Sequence, residues 1–322
     1  MNRIRKLWTR GFVALFSLVA VLTSLTVADA SARVLASYTY TLNASGQRTQ
    51  VVEKTGRTTS DAYDGLDRLA SETLADPGDS AQNGAISYTL DKVGNRLSRA
   101  SSVAPIPSTA NTYNVRDWLD TDTYDANGNT TIGHLPSAIG DHTAGTDVYD
   151  FENRLIVRTQ PDGTQICVSY DTDGNRFQKT ILDSGLNPVR ATYYLVDTNN
   201  PTGYSQVLEE QTMTGGSTPS STLKVYTYGA DLISRTDFDA HSSLLATHYF
   251  SYDGHGSVRK LTDENGTVTD SYDYDAFGVL LHHTGSSDNA YLYSGEQWDA
   301  DLGLYFNRAR YLNPGSSRIS VG

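Results

Sequence analysis

The sequence predicts an all-β protein built from consecutive hairpins, and three observations carry that expectation. The first is a repeated phrase: tyrosine, aspartate, two small residues, glycine, a polar residue, then arginine or threonine. It is clearest at residues 124–130 (Tyr-Asp-Ala-Asn-Gly-Asn-Thr) and 170–176 (Tyr-Asp-Thr-Asp-Gly-Asn-Arg). Weaker copies begin at Tyr63, Tyr88, Tyr149 and Tyr274, and successive copies fall roughly 20–25 residues apart, a spacing typical of stacked supersecondary units. The second is composition: 21 tyrosines against two methionines and three tryptophans. Such a balance suits strands whose rings line a sheet while their hydroxyls reach water or a partner. The third is alternation, as in Val51-Val52-Glu53-Lys54-Thr55, with helical apolar spacing hard to find after residue 33.

Within each phrase the residue types have separate tasks. Aspartate opens a turn because its carboxylate accepts from backbone N–H groups two residues on. Glycine three residues later suits a left-handed position in a type I turn followed by a bulge. Asp125, Gly128, Asp171 and Gly174 are therefore the expected structural turn residues, with Gly278 in the related phrase at 272–278.

The chain opens with Arg3, Arg5, Lys6 and Arg10 before an apolar run, residues 11–28, which Ser17, Thr23, Ser24 and Thr26 interrupt. Ala28-Asp29-Ala30 and Ala30-Ser31-Ala32 both resemble a cleavage site. Residues 1–30 read as a secretory signal peptide, with an uncleaved signal anchor as the alternative, and the protein is expected to be secreted or held at the cell surface. Removing four basic residues and Asp29 takes the formal net charge from −12 to −15. An acidic surface of that size excludes nucleic acid and anionic lipid as main partners. Cys167 is the single cysteine, so no internal disulfide forms. Its alternating neighbours, Ile166 and Val168, suggest a small buried hydrophobe.

Hairpin phrases run to about Ala191, with loops expected at 104–108, 215–220 and 284–289. Further strings are not explained by strand propensity. They are Tyr-Leu-Val-Asp (194–197) with 200–210, Tyr-Thr-Tyr-Gly-Ala-Asp-Leu-Ile-Ser (226–234), His-Gly-Ser-Val-Arg with Leu-Thr-Asp (255–263), 272–278, and 295–311 ending Gly-Leu-Tyr-Phe-Asn-Arg-Ala-Arg-Tyr. Taken in this order, they resemble the core of Rhs (rearrangement hotspot) proteins and the stretch preceding it, and the tyrosine-aspartate phrases look like YD repeats. The resemblance covers nearly everything after residue 30. It implies hairpins winding as a spiral into a cocoon-like β-shell, of which this chain would form a part. It also implies a YD-repeat array at 31–247, an Rhs core at 248–313 and a divergent tail at 314–322.

Rhs cores can act as intramolecular aspartyl proteases, in which two adjacent carboxylates share a proton. The first carboxylate matches Asp299, and Arg308 and Arg310 fall in the adjoining string. The tail departs from the family pattern where the second should stand: Asn313-Pro314 is followed by Ser317 and Ile319, without the aspartate. Asp301 does not match that position. No self-cleavage is expected, and Asp299 reads as a turn-opening carboxylate. No cofactor and no metal are expected. The Asp125 and Asp171 loops lack the bidentate glutamate of a calcium loop, with Ser137 and Leu182 at the twelfth positions, and no histidine pair has zinc spacing. His255, between two glycines, reads as a turn residue. The resemblance thus implies an exported, non-enzymatic shell fragment without a toxin domain, apparently truncated after the core. Its partner would be a toxin domain or protein encoded separately. The alternative is a surface protein contacting glycans through its tyrosines.

Overall fold

One turn geometry closes hairpin after hairpin. Asp125 donates its N–H to the Asn129 carbonyl (3.0 Å) and accepts the Gly128 N–H at its own carbonyl (3.2 Å). Its Oδ1 accepts the N–H groups of Asn127 and Asn129, both at 2.9 Å. Asp171 repeats the pattern with Asp173, Gly174 and Asn175. The glycines sit at φ +94° and +84°, as expected for residues that lack a Cβ. The same left-handed position is also filled by Asp67, Asp117, Asn153, Leu186 and Ser242, with φ between 59° and 63°. Glycine is therefore not required. Asp183 and Asp239 still clamp their turns through Oδ1, and those bonds offset the strain at Leu186 and Ser242.

The computed structural model describes residues 34–320 other than 105, 134–144, 216–218, 309 and 317. The expected signal segment, 1–30, and parts of the expected loops and tail lie outside the described residues. Residues 36–322 form one unit, with three antiparallel sheets among the described residues. The first contains β1 (Tyr38–Leu42), β2 (Arg48–Glu53), β3 (Thr58–Tyr63), β4 (Leu69–Ala75), β5 (Gly84–Leu90), β6 (Arg96–Ser101) and β7 (Thr109–Ala110). The second begins with β8 (Thr123–Tyr124), β9 (Thr130–Ile132), β10 (Thr146–Tyr149), β11 (Leu155–Thr159), β12 (Gln165–Tyr170), β13 (Arg176–Leu182) and β14 (Pro188–Asp197). It continues through β15 (Gln206–Thr214), β16 (Ser220–Tyr228), β17 (Leu232–Phe238), β18 (Leu244–Tyr252), β19 (Val258–Thr262), β20 (Val268–Tyr274) and β21 (Leu280–Thr284). The third holds β22 (Gln297–Asp299), β23 (Leu304–Asn307), β24 (Arg310–Asn313) and β25 (Arg318–Ser320). Within each sheet every strand pairs with its sequence neighbours, so the all-β expectation holds. The 247/248 boundary falls inside β18, and the second sheet runs through it.

The phrase tyrosines have a backbone role that the sequence did not disclose. Four of them, Tyr63, Tyr149, Tyr170 and Tyr274, share it; Tyr88 does not, its hydroxyl going to the Glu72 carboxylate. The four sit at register shifts where their strands enter the turn, Ala62/Tyr63, Val148/Tyr149, Ser169/Tyr170 and Asp273/Tyr274. Their hydroxyls do not reach for a partner. They donate to a carbonyl just after the preceding turn on the same edge. Tyr63 reaches Arg48 (2.7 Å), Tyr149 reaches Thr130 (3.0 Å), Tyr170 reaches Leu155 (2.9 Å) and Tyr274 reaches Val258 (2.9 Å). Polar side chains add ties between neighbouring turns, including Asn95 to Asp117 (3.0 Å) and Asn127 to Asn153 (2.9 Å).

The last part of the chain fills the core of the rest. Leu155, Ile166 and Ile181 pack with Leu302, Leu304 and Tyr311 of the third sheet and its approach. Tyr226, Leu232, Val258 and Leu261 pack with Tyr291, Leu292 and Tyr305. Leu74, Ile86 and Tyr88 of the first sheet enclose Val279 and Leu281. Each fully buried aliphatic side chain contributes about 1.5–3 kcal/mol, so the core strings act as common filling for both large sheets. Cys167 is not part of it. It pairs with Val157 and Thr180 on the face opposite Ile166 and Ile181, and is half-buried. The alternating pattern was right, but the cysteine takes the outer side.

Replacing Gly128 by valine should destabilise the protein by at least ~1 kcal/mol because of its positive φ, and more than Gly174→Val. A Cβ at 128 would stand 3.2 Å from Trp118, whereas at 174 it meets only an arginine tip at 3.6 Å. Ala126→Val should change little. Chemical denaturation of the three variants measures this ranking, and equal losses at 126 and 128 would disprove the turn assignment.

Candidate functional site

Asp299 ends β22 and is buried with its side chain at 0% exposure. Its Oδ1 accepts the N–H groups of Asp301 and Leu302, both at 3.2 Å, so it does open a turn as expected. That is only half of its role. Arg176 of β13 donates to Oδ2 at 2.7 Å and Lys179 donates to Oδ1 at 2.8 Å. Arg176 also holds the Gln297 side chain (2.8 Å) and lies between the rings of Tyr194 and Phe306. Lys179 is shared with Asp301 (2.8 Å), which in turn pairs with Arg190. These bonds fix the third sheet to β13 and β14, helped by Arg158 of β11, which donates to the Leu302 carbonyl at 2.7 Å.

The electrostatics follow from this clamp. Burial alone would raise the Asp299 carboxyl, but Lys179 and Arg176 outweigh it and hold it at about 2. Burial likewise opposes the charge on Lys179, and the Asp299 carboxylate leads in raising it above the lysine range. A proton-sharing dyad places a second carboxylate against the first, so that one of the two values is raised; the side chains on the Asp299 oxygens are cations instead. Asp299 stands here as the anion of a buried cation pair.

The other expected members stand elsewhere. Arg308 has a positive φ of 61°, is exposed, and lies over the Tyr204 ring at 4.6 Å with Glu296 at 3.6 Å. Arg310 is exposed on β24. Neither enters the Asp299 cluster. The cations that do, Arg176 and Lys179, were missed by reading the core strings alone. The available signal was the Gly-Asn-Arg string, which occurs at 94–96 and 174–176. Arg96 and Arg176 are both buried, so an arginine in that place points inward from the turn.

Beside Arg176 opens a cleft of about 280 Å³. Rings of Tyr204, Tyr228, Tyr252, Tyr291 and Phe306 line it, with Asn175, Asp231, Glu296 and Arg308 among its polar groups. Burial raises Glu296, with Arg308 opposing. His255 lies in a turn as expected, its ring nitrogen 3.1 Å from the Ser294 hydroxyl. The Asp125 and Asp171 carboxylates spend their oxygens on the turn donors and on Asn129 and Asn175. Among the described residues no group of three or more His, Cys, Asp or Glu side chains could hold a metal ion. No helix among them is long and apolar enough to cross a membrane.

No family model matches the sequence. The chain is 30% identical over 266 residues to the tRNA3(Ser)-specific nuclease WapA of Bacillus spizizenii. It is 28% identical over 264 residues to the tRNA nuclease WapA of Bacillus subtilis strain 168. Both matches take in 78% of this chain, and the chain spans about 10% of the length of those relatives. The chain is Rhs-like. Among solved structures, the TcdB2–TccC3 crystal structure aligns with 87% of this chain and 18% of its own, at 16% identity and a TM-score of 0.45.

Removing the Asp299 charge leaves two buried cations facing each other, so Asp299→Asn should cost about 3–5 kcal/mol. The pH dependence has a definite sign. A folded-state value near 2 lies below that of an unfolded aspartate, so this contribution is complete above about pH 4 and is lost as pH falls toward 2. Thermal unfolding from pH 2 to 6 should show the wild type gaining stability with pH while Asp299→Asn gains less. Identical slopes would show that the clamp does not form.

Proposed function

We propose that this chain is an exported, non-enzymatic wall segment of an Rhs-type toxin carrier, serving a toxin domain carried or encoded elsewhere. One observation carries the reading. A run of hairpins with one closing geometry and a shared filling makes up a chain related, over most of its length, to a stretch amounting to a tenth of the WapA nucleases. Such a stretch suits scaffold rather than catalysis. The acidic net charge of −12 is also unsuited to gripping tRNA. The Asp299 clamp supports the absence of self-cleavage, because Arg176 and Lys179 take up both carboxylate oxygens, where an aspartyl mechanism needs a second carboxylate and a water. A second reading, contact with surface glycans, is favoured by the cleft, where the exposed Tyr204 ring and the nearby acidic and amide groups have the composition that sugars use. Titration of neutral and amino sugars against wild type and Tyr204→Ala would detect it.

The scaffold reading has a direct test. Grafted in place of the matching stretch of Bacillus subtilis WapA, the chain should keep the tRNA-cleaving activity as resistant to added protease as in the parent. A graft that folds but leaves the nuclease open to digestion overturns the reading. The isolated chain should leave tRNA intact. Its C-terminal mass should be the same in wild type and Asp299→Asn, and a fragment lost only from the wild type would restore the protease.

A further inference from the structure

The turn at Asp275 differs from its relatives in one respect. Asp64, Asp91, Asp125, Asp150, Asp171, Asp183, Asp239 and Asp263 are held below the usual carboxylate range; burial acts against this, and hydrogen bonds within their turns prevail. Asp275 makes the same turn, its Oδ1 accepting the N–H groups of Phe277 (2.9 Å) and Val279 (2.8 Å). It differs in facing the core: it is 3% exposed, and its Oδ2 is buried with no hydrogen-bond partner. An orphan acceptor of this kind is costly and calls for a donor. Across the seam lies Glu72 of β4, 2% exposed, whose Oε1 accepts the Ala276 N–H and the Tyr88 hydroxyl, both at 3.2 Å. Burial and the neighbouring Asp275 push Glu72 up to about 8, and burial pushes Asp275 up to about 6.

We propose that Glu72 and Asp275 share one proton across the seam between the first sheet and the β20–β21 turn, with the Glu72 carboxyl donating to Asp275 Oδ2. Loss of that proton at rising pH loosens the seam. The surrounding groups are consistent with one proton and one negative charge. Asp61 on β3 adds an acidic neighbour, itself paired with Arg48. Arg96 and Arg99 on β6 supply the positive charge facing Asp275, and both also donate to the Gly315 carbonyl. Tyr88, Tyr293 and Tyr305 are all raised by burial, so they stay neutral through the range concerned. Taking the proton away places a second carboxylate charge beside the first in a closed site, which is strongly unfavourable. The seam is also held by Leu74, Ile86 and Tyr88 packed on Val279 and Leu281, by the Tyr88–Phe277 ring contact at 5.0 Å, by Arg57 on Asp273 at 3.3 Å and by Arg259 on Glu53 at 2.9 Å. Its two sides belong to different sheets, so its opening need not break the strand pairing of either.

The sign is opposite to that of Asp299. Folded values raised above the unfolded ones mean that the proton is retained in the folded state. The seam is then tightest below about pH 4, where unfolded carboxyls are also protonated, and weakens as pH climbs through about 6 and about 8. Hydrogen exchange read by mass spectrometry, corrected for the intrinsic pH dependence of exchange, tests this on the whole chain. Protection of peptides covering β4, β5 and residues 275–279 should fall at least tenfold between pH 6 and 9, while β11–β13 hold theirs. Glu72→Gln keeps a donor without a titrating charge and should abolish the fall. Should that variant not fold, Asp275→Asn, which retains the turn-closing oxygen, should do the same. A flat wild-type profile, or a fall that persists in the folded variant, overturns the shared proton.

Discussion

The bond on which the rest of the structure depends is the one from a phrase tyrosine to the carbonyl behind the preceding turn. It satisfies a backbone acceptor that the bulge at the strand end would otherwise leave to solvent. It also makes each hairpin's position conditional on the one before it. The aspartate next to that tyrosine shapes the turn, so two adjacent side chains fix both the bend and its spacing from its neighbour. That pairing explains why the phrase reads tyrosine then aspartate; the polar residue after the left-handed position can then reach the next turn, as Asn95 and Asn129 do.

Much of this was legible because it is local. Turn chemistry and alternation are decided within about six residues, so the hairpins, their order and the all-β class follow from Tyr124–Asp125, Tyr170–Asp171 and their copies. The left-handed position was read too narrowly as glycine. Leu186 and Ser242 show that the opening carboxylate's two bonds can carry a residue that φ alone would disfavour. The face of Cys167 was misjudged because alternation gives two faces without saying which one is covered, and cover comes from residues more than a hundred positions away. The candidate site was hidden for the same reason. Asp299 could be marked from its own string, but Arg176 and Lys179 lie 123 and 120 residues earlier, and only the third sheet's docking brings them together.

Charge is organised differently at the two seams of the core. Beneath the third sheet a buried aspartate is met by more than one cation, and ionisation is locked in. Between the first sheet and the β20–β21 turn two acids face each other, with the nearby guanidinium groups turned partly toward a backbone carbonyl. Buried ion pairs seldom add much net stability, but they penalise misplacement heavily. The first arrangement therefore fixes register and the second makes closure conditional.

The hold of Arg96 and Arg99 on the Gly315 carbonyl spans 219 and 216 residues of chain, and this bears on how the molecule comes to be folded. Strand pairing within the first sheet can begin as soon as β1 to β6 exist, since every partner is a sequence neighbour. Its apolar side, with Leu74, Ile86 and Tyr88, has only Val103 and Ile106 to rest on until Val279 and Leu281 arrive. During synthesis the earliest sheet must wait, half made and with an exposed greasy face, for nearly the whole chain to follow. Contacts of such sequence separation slow the final step and lengthen the time during which strangers can adhere. Closure of the first sheet is thus timed by residues 279–315, far along the chain from the strands they cover.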